Sequence, residues 1–191
     1  MDKGLDILQP KLDYDVRAIW LPETDALAAA DERLKTPSVQ LPLIMIVEYA
    51  LAQLWMSWGV KPSALIGHSM GENTAACLAG VMSFQDCIGL VHLRGTLFDT
   101  VPAGGMLSVV LPEKDLRKHL TDDLDIASVN SSPLTVATGP ADAQARLEQS
   151  LKLKDIDCNR IAINIAAHSR MLDPILEAFG QYLSAIELHA P

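Results

Sequence analysis

The chain has 191 residues, with 15 Lys or Arg against 24 Asp or Glu and a formal net charge of −9. That acidic balance argues against nucleic-acid binding, which needs clustered cations, and leaves room for a local basic patch and an anionic substrate. Hydrophobic residues make up 49% of the chain, enough to bury a sizeable core in one domain, or a domain with a small insert, and enough to exclude disorder.

In chain order, residues 1–38 are poorly periodic and broken by Pro10, Pro22 and Pro37. A short helix is predicted over Asp25–Lys35 with Thr24 as its N-cap. From Val39 to Trp58 the apolar positions are dense and Gly59 ends the run, which predicts a long, mostly buried helix. Its most apolar part, Leu41 to Met56, is interrupted by Glu48 and is expected to fall short of a membrane span. The acidic N-terminus carries no apolar signal core. Cys77, Cys87 and Cys158 are scattered and odd in number, with no Cys-x-x-Cys spacing, so neither a metal site nor a disulfide framework is expected. A reducing, cytoplasmic setting fits best.

Ala64-Leu65-Ile66, closed by Gly67, predicts a buried parallel strand. Helices are predicted over Glu72–Ala79, closed by Gly80, and over Ser83–Phe98. A change of pattern at Pro102-Ala103-Gly104-Gly105 is followed by a strand (Met106–Leu111), a helix (Glu113–Leu120) and two strands (Asp125–Val129 and Leu134–Thr138). A helix from Ala141 to about Leu151 and a strand near Asn159–Ile163 complete a β-α-β-β-α-β order, the ferredoxin-like arrangement. A last helix is predicted from Leu172 to about Leu188. The fold class is therefore α/β: a parallel-sheet core over 1–104 and 164–191, and an inserted ferredoxin-like subdomain over 105–163.

Gly67-His68-Ser69-Met70-Gly71 matches Gly-x-Ser-x-Gly at a predicted strand–helix junction. A nucleophilic serine must project from a sharp turn, and small flanking residues let strand and helix pack closely around it. The helix that follows aims N–H groups at the site, where they can stabilise an oxyanion. Serine also needs a base. His119 and His189 sit among polar residues near helix ends, where a solvated imidazole is expected. His92 falls inside a helix, and His68 points away from the turn apex, with a place in the pocket lining open to it. His168 follows an apolar strand in the small-residue loop Ala166-Ala167-His168-Ser169 and is the candidate base. No triad acid is identifiable; Asp173 is nearest in sequence.

These residues resemble the acyltransferase domains of modular polyketide synthases, related to malonyl-CoA:acyl-carrier-protein transacylases. The resemblance is carried by Thr36 and Gln40, Glu48-Tyr49-Ala50-Leu51-Ala52, Trp58-Gly59-Val60 with Pro62, Gly67-His68-Ser69-Met70-Gly71-Glu72, Arg94-Gly95 and Ala166-Ala167-His168-Ser169. It runs from about residue 15 to the end. It implies an α/β-hydrolase-like core with a ferredoxin-like insert, and ping-pong transfer from an acyl-CoA through an acyl-serine to the phosphopantetheine thiol of an acyl carrier protein. No bound cofactor is implied; coenzyme A enters as the substrate thioester.

Carried over, Ser69 is the nucleophile, His168 the general base, and the Met70 N–H an oxyanion donor. Arg94 binds the free carboxylate of a malonyl-type group, and Gln40, His68 and Ala167 line the pocket. Without the resemblance, Arg94 reads as a surface arginine near a helix end. Implied partners are acyl-CoA and carrier protein within a multifunctional synthase of the kind used in antibiotic or fatty acid biosynthesis, with no membrane. Met70 resembles malonyl-selective members, whereas Ile165-Ala166-Ala167-His168 matches neither the malonyl nor the methylmalonyl pattern; malonyl is favoured. The family begins with a strand and a Gly-Gln-Gly segment, for which Leu8-Gln9-Pro10 is no substitute, and it continues past the point where this chain stops. The expectation is a fragment lacking one oxyanion donor, a loss of about 10²–10³ in rate. A serine esterase or thioesterase, and a silent docking module, are the rival readings.

Overall fold

The computed structural model describes residues 1–191. They form two compact units, Met1–Asp99 with Glu177–Pro191, and Thr100–Leu176.

The first unit is helical. Its N-terminal part holds two short helices that periodicity did not predict, α1 (Asp2–Leu8) and α2 (Val16–Trp20), joined through a tight turn at Gln9–Lys11. Seven- and five-residue helices are marginal on their own, and long-range bonds fix these two. Arg17 bridges Asp2 and Asp6 at 2.7 and 2.8 Å. The Gln9 amide donates to the Tyr14 carbonyl and accepts from the Val16 N–H. Helix α3 covers Leu27–Arg33, and its cap is Ala26 instead of the expected Thr24.

Helix α4 (Pro37–Ser57) is the spine of the unit. Proline suits its first turn, because the missing N–H is an orphan there in any case. That start makes the helix 21 residues long, so by length and composition α4 is long and apolar enough to cross a membrane, contrary to expectation. Its first half packs into the core: Val39, Leu43, Met45 and Ile46 cluster with Ile88, Leu90 and Val91 of α6 (Phe84–Phe98). The two backbones meet where Gly95 faces Pro37; a Cβ on Gly95 would lie 2.5 Å from the Pro37 carbonyl oxygen. Ser83 caps α6 by accepting from the Asp86 N–H at 3.0 Å. Helix α5 (Gly71–Leu78) follows the serine turn. Helix α9 (Leu176–Ala185) replaces the single long helix expected from Leu172, because Pro174 keeps Arg170–Ile175 in a tighter turn. Its Tyr182 hydroxyl donates to the Asp86 carbonyl at 3.1 Å.

Ala64–Ile66 forms no strand, and Ile66 is 97% exposed. A central parallel strand exists only through its neighbours' ladders, and none pairs with this segment. The far half of α4 differs likewise from the mostly buried helix expected: Leu51, Leu54, Trp55 and Met56 are exposed.

The second unit is a single antiparallel sheet with two helices. Strands β1 (Gly104–Val109), β2 (Asp125–Ser131), β3 (Leu134–Pro140) and β4 (Cys158–Arg160) lie in the order β2-β3-β1-β4. With α7 (Glu113–Leu116) and α8 (Ala141–Lys152) in the two crossovers, this is the ferredoxin-like topology read from the element order. Alternation turns Leu107 and Val109 of β1 inward. Ala143, Leu147 and Leu151, four apart on α8, close over them with Leu116 and Leu124.

Candidate active site

The serine turn belongs to the first unit. Ser69 has φ +54°, a left-handed conformation that side chains other than glycine rarely adopt. Gly67 makes it possible: a Cβ there would sit 2.2 Å from the Glu72 nitrogen and 2.3 Å from the Gly71 carbonyl carbon, so only glycine allows the chain to double back onto α5. Gly71 is under no such constraint, since its nearest neighbour would be Glu48 Oε1 at 3.9 Å. The first turn of α5 closes by Glu72 N–H donating to the Ser69 carbonyl at 3.1 Å and Asn73 N–H to the Met70 carbonyl at 3.0 Å. Ser69 is half-buried, Met70 buried and His68 exposed.

Glu48 ties this turn to α4. Its Oε2 accepts from the Thr74 hydroxyl at 2.6 Å. The sequence showed Glu48 only as an interruption of an apolar run. A carboxylate inside such a run needs a partner, and that was the available signal. Gln40 lies on the rim of a groove of about 360 Å³ lined also by Trp20, Leu34, Leu43, Ile44, Val47 and Glu48.

Arg94, on α6, is half-buried, with its guanidinium 5.3 Å from the centre of the Phe98 ring. Burial lowers its pKa, and the Glu72 carboxylate opposes that shift. Glu72 stands three residues after Ser69, so the structure brings Arg94 into the electrostatic neighbourhood of the serine turn. It is not the solvated surface arginine of a bare sequence reading. No carboxylate forms an ion pair with it; a half-buried guanidinium in that state suits an incoming anion.

His168 belongs to the second unit. It is exposed and has φ +58°, again left-handed. The loop before it is packed tightly: Ile165, Ala166 and Ala167 are buried, and a Cβ on Gly104 would strike Ala166 Cβ at 2.6 Å. The Thr138 hydroxyl donates to the Ala167 carbonyl at 2.9 Å, and the Ser169 hydroxyl to the Ala166 carbonyl at 2.7 Å. Arg170 forms a fork with Asp125, and its own N–H donates to Asp125 Oδ2 at 3.0 Å. Nothing in hydrophobic patterning pointed to Thr138 or Asp125.

The remaining histidines have structural settings. Burial holds the His92 pKa down, and its Nδ1 lacks a hydrogen-bond partner. His119 Nδ1 lies 3.3 Å from Lys154 Nζ; burial first, then nearby lysines, lower its pKa. His189 donates its backbone N–H to the Val81 carbonyl. Gln9, in the Leu8-Gln9-Pro10 segment that is no substitute for the family's Gly-Gln-Gly, spends its N–H on the Leu5 carbonyl.

Residues 21–191 match the family model described as the acyl transferase domain. Over 177 residues the chain is 34% identical to the mycoketide-CoA synthase of Mycobacterium tuberculosis, covering 92% of this chain and 4% of that protein. It is 36% identical over 162 residues to the non-reducing polyketide synthase stmB of Aspergillus ustus, covering 81% of this chain and 8% of that protein. The chain thus spans less than a tenth of either curated relative. Among solved structures, the acyl transferase domain of ZmaA superposes with a TM-score of 0.87 at 36% identity, over 100% of this chain and 44% of that one. An acyl carrier protein S-malonyltransferase from Vibrio cholerae gives 0.83 at 26% identity, over 99% of this chain and 63% of that one. With a serine in a left-handed turn at the start of α5, a half-buried arginine in the field of Glu72, a ferredoxin-like unit and these relatives, the chain belongs to the acyl transferase domain family, among the acyltransferase domains of polyketide synthases.

Proposed function

We propose that this domain moves a malonyl-type acyl group from coenzyme A to the phosphopantetheine thiol of an acyl carrier protein, with Ser69 as the covalent carrier. Ser69 Oγ attacks the thioester carbonyl while its proton passes to His168. The C–S bond then breaks, and coenzyme A leaves as the thiol with that proton. The carrier thiol reverses the sequence, giving its proton to His168 and releasing Ser69. The Met70 N–H, at the start of α5, faces the developing oxyanion, and Arg94 holds the distal carboxylate through two parallel hydrogen bonds. Gln40, His68 and Ala167 line the acyl pocket in this reading.

The observation that carries it is Arg94: a half-buried cation with no ion-pair partner, near the helix that starts at the nucleophile. A simple esterase has no use for such a group. The test is the mass of the protein after exposure to malonyl-CoA. A malonyl adduct is expected on Ser69 and none on Ser69→Ala; an adduct of the same mass on the variant places the nucleophile elsewhere. Arg94→Ala is expected to lose malonyl loading and to gain relative activity toward acetyl-CoA, because the unpaired cation penalises a neutral acyl chain. An unchanged malonyl-to-acetyl ratio removes Arg94 from the carboxylate role. Prompt release of the acyl group to water, in preference to a carrier thiol, turns the reading into that of a hydrolase.

A further inference from the structure

His168 is the only histidine in a left-handed backbone, and a conformation of that kind persists only where its surroundings over-determine it. The constraints come from two adjacent strands. Asp125 of β2 and Thr138 of β3 are register partners, so their side chains share one face of the sheet. Each grips the loop on one side of the histidine. Thr138, fully buried, donates its hydroxyl to the carbonyl of Ala167, the residue before. Asp125 accepts from the N–H and the guanidinium of Arg170, two residues after. Ser169 closes the span between them by donating to the Ala166 carbonyl and accepting from the Met171 N–H at 3.2 Å. The four-residue segment 167–170 is therefore pinned at both ends by one cross-strand pair.

We propose that Thr138 and Asp125 are positioning residues for His168, fixing the peptide on either side of it so that the imidazole keeps the direction its proton transfers require. The inference rests on His168 being the base, as set out above. A base displaced by about 1 Å can lose roughly 100-fold in rate, so the hydroxyl of a core threonine, 30 residues before the histidine, sets the turnover. Thr138→Val removes the hydroxyl and keeps the shape, and Thr138→Ser keeps the hydroxyl.

The test measures turnover in the full-length protein, with malonyl-CoA as donor, together with KM, the pH profile of kcat/KM and thermal unfolding. Thr138→Val is expected to lower kcat roughly 10- to 100-fold, to leave KM for malonyl-CoA within about twofold, and to displace the acidic limb of the pH profile. Thr138→Ser restores both. A purely structural role for Thr138 lowers the unfolding temperature of Thr138→Val and leaves kcat per folded molecule and the pH profile untouched, which overturns the proposal. Should Thr138→Val fail to fold, Asp125→Asn on the rim of the same sheet decides: a fall in kcat with unchanged KM supports the proposal, and an unchanged kcat overturns it. His168→Ala, measured in parallel, separates the two levels. If it retains turnover, the base assignment fails and the positioning role with it. If it loses turnover while Thr138→Val or Asp125→Asn does not, positioning alone fails.

Discussion

In residues 100–176 the apolar pattern closes on itself. Leu107 and Val109 on β1, Leu116 on α7, and Ala143, Leu147 and Leu151 on α8 meet one another, and all are buried. In residues 1–99 the longest apolar run closes along only part of its length. Val39, Leu43, Met45 and Ile46 of α4 pack with residues of α6, whereas Trp55 and Trp58 are 56% and 65% exposed and Ile66 stands almost free of contact. Both regions carry sequences written for burial. An apolar side chain records a demand for a neighbour, and the demand is met only where an element of matching shape is present. A helix apolar on all sides, as α4 is, belongs between two layers.

The sharpest way to break this comparison is to open the closed core. Leu107→Ala, at a fully buried position in the middle of β1, is expected to cost about 2–5 kcal/mol, from lost transfer energy and the cavity left behind. Urea unfolding measures it, and a cost under about 1 kcal/mol would show the second unit to be packed no better than the exposed half of α4. Gly67 is the counterpart in the first unit. Gly67→Ala places a methyl group against the backbone of Gly71 and Glu72, neither of which moves cheaply. It is expected to abolish acylation of Ser69 through loss of the turn, with mass spectrometry after malonyl-CoA as the readout.

What the sequence revealed divides along the same line. The four strands and two helices of the second unit were legible because alternation with period 2 and spacing with period 3.6 are both enforced by a complete core. The serine turn was legible because Gly67 has no substitute at that contact. The helices α1 and α2 were not, since five to seven residues carry too little periodicity, and their stability lies in Arg17, Asp2, Asp6 and Gln9 side chains meeting across the chain. The Ala64–Ile66 strand was read from composition alone, and composition says nothing of whether a ladder partner stands beside it. Thr138 and Asp125 escaped for another reason. A hydroxyl's acceptor 29 residues away leaves no local trace, and a strand aspartate looks the same paired or solvated.

A smaller effect tests the polar part of the second unit. The hydrogen bonds from Arg170 hold the Asp125 carboxyl below its ordinary value of 3.8. A carboxyl depressed in the folded state contributes stability above its unfolded pKa, and that contribution fades as pH falls through the folded value. Wild type is therefore expected to exceed Asp125→Asn in stability near neutral pH, with the gap closing as the pH falls below the carboxylate range. Denaturant titrations at several pH values measure this, and a gap that persists in acid assigns the effect to packing instead of charge.

The smallest expected effect falls on the open face of α4. Trp55 and Trp58 stack edge to face at 5.4 Å, each more than half exposed. Their contact is mainly with each other and with water, so removing one forfeits little that the unfolded chain lacks. Trp58→Gln is expected to change the unfolding free energy of residues 1–191 by no more than about 0.5 kcal/mol, the ordinary range for surface positions. A buried tryptophan of the same size would cost about 3–5 kcal/mol on truncation. Iodide quenching of fluorescence offers a second, independent reading. Trp55 and Trp58 should be quenched readily, and Trp20, half-buried at the edge of the groove, less so. A cost above about 1.5 kcal/mol for Trp58→Gln, or protection of both residues from iodide, would mean that this face is covered in solution. The contrast between the closed and the open halves of the molecule would then disappear.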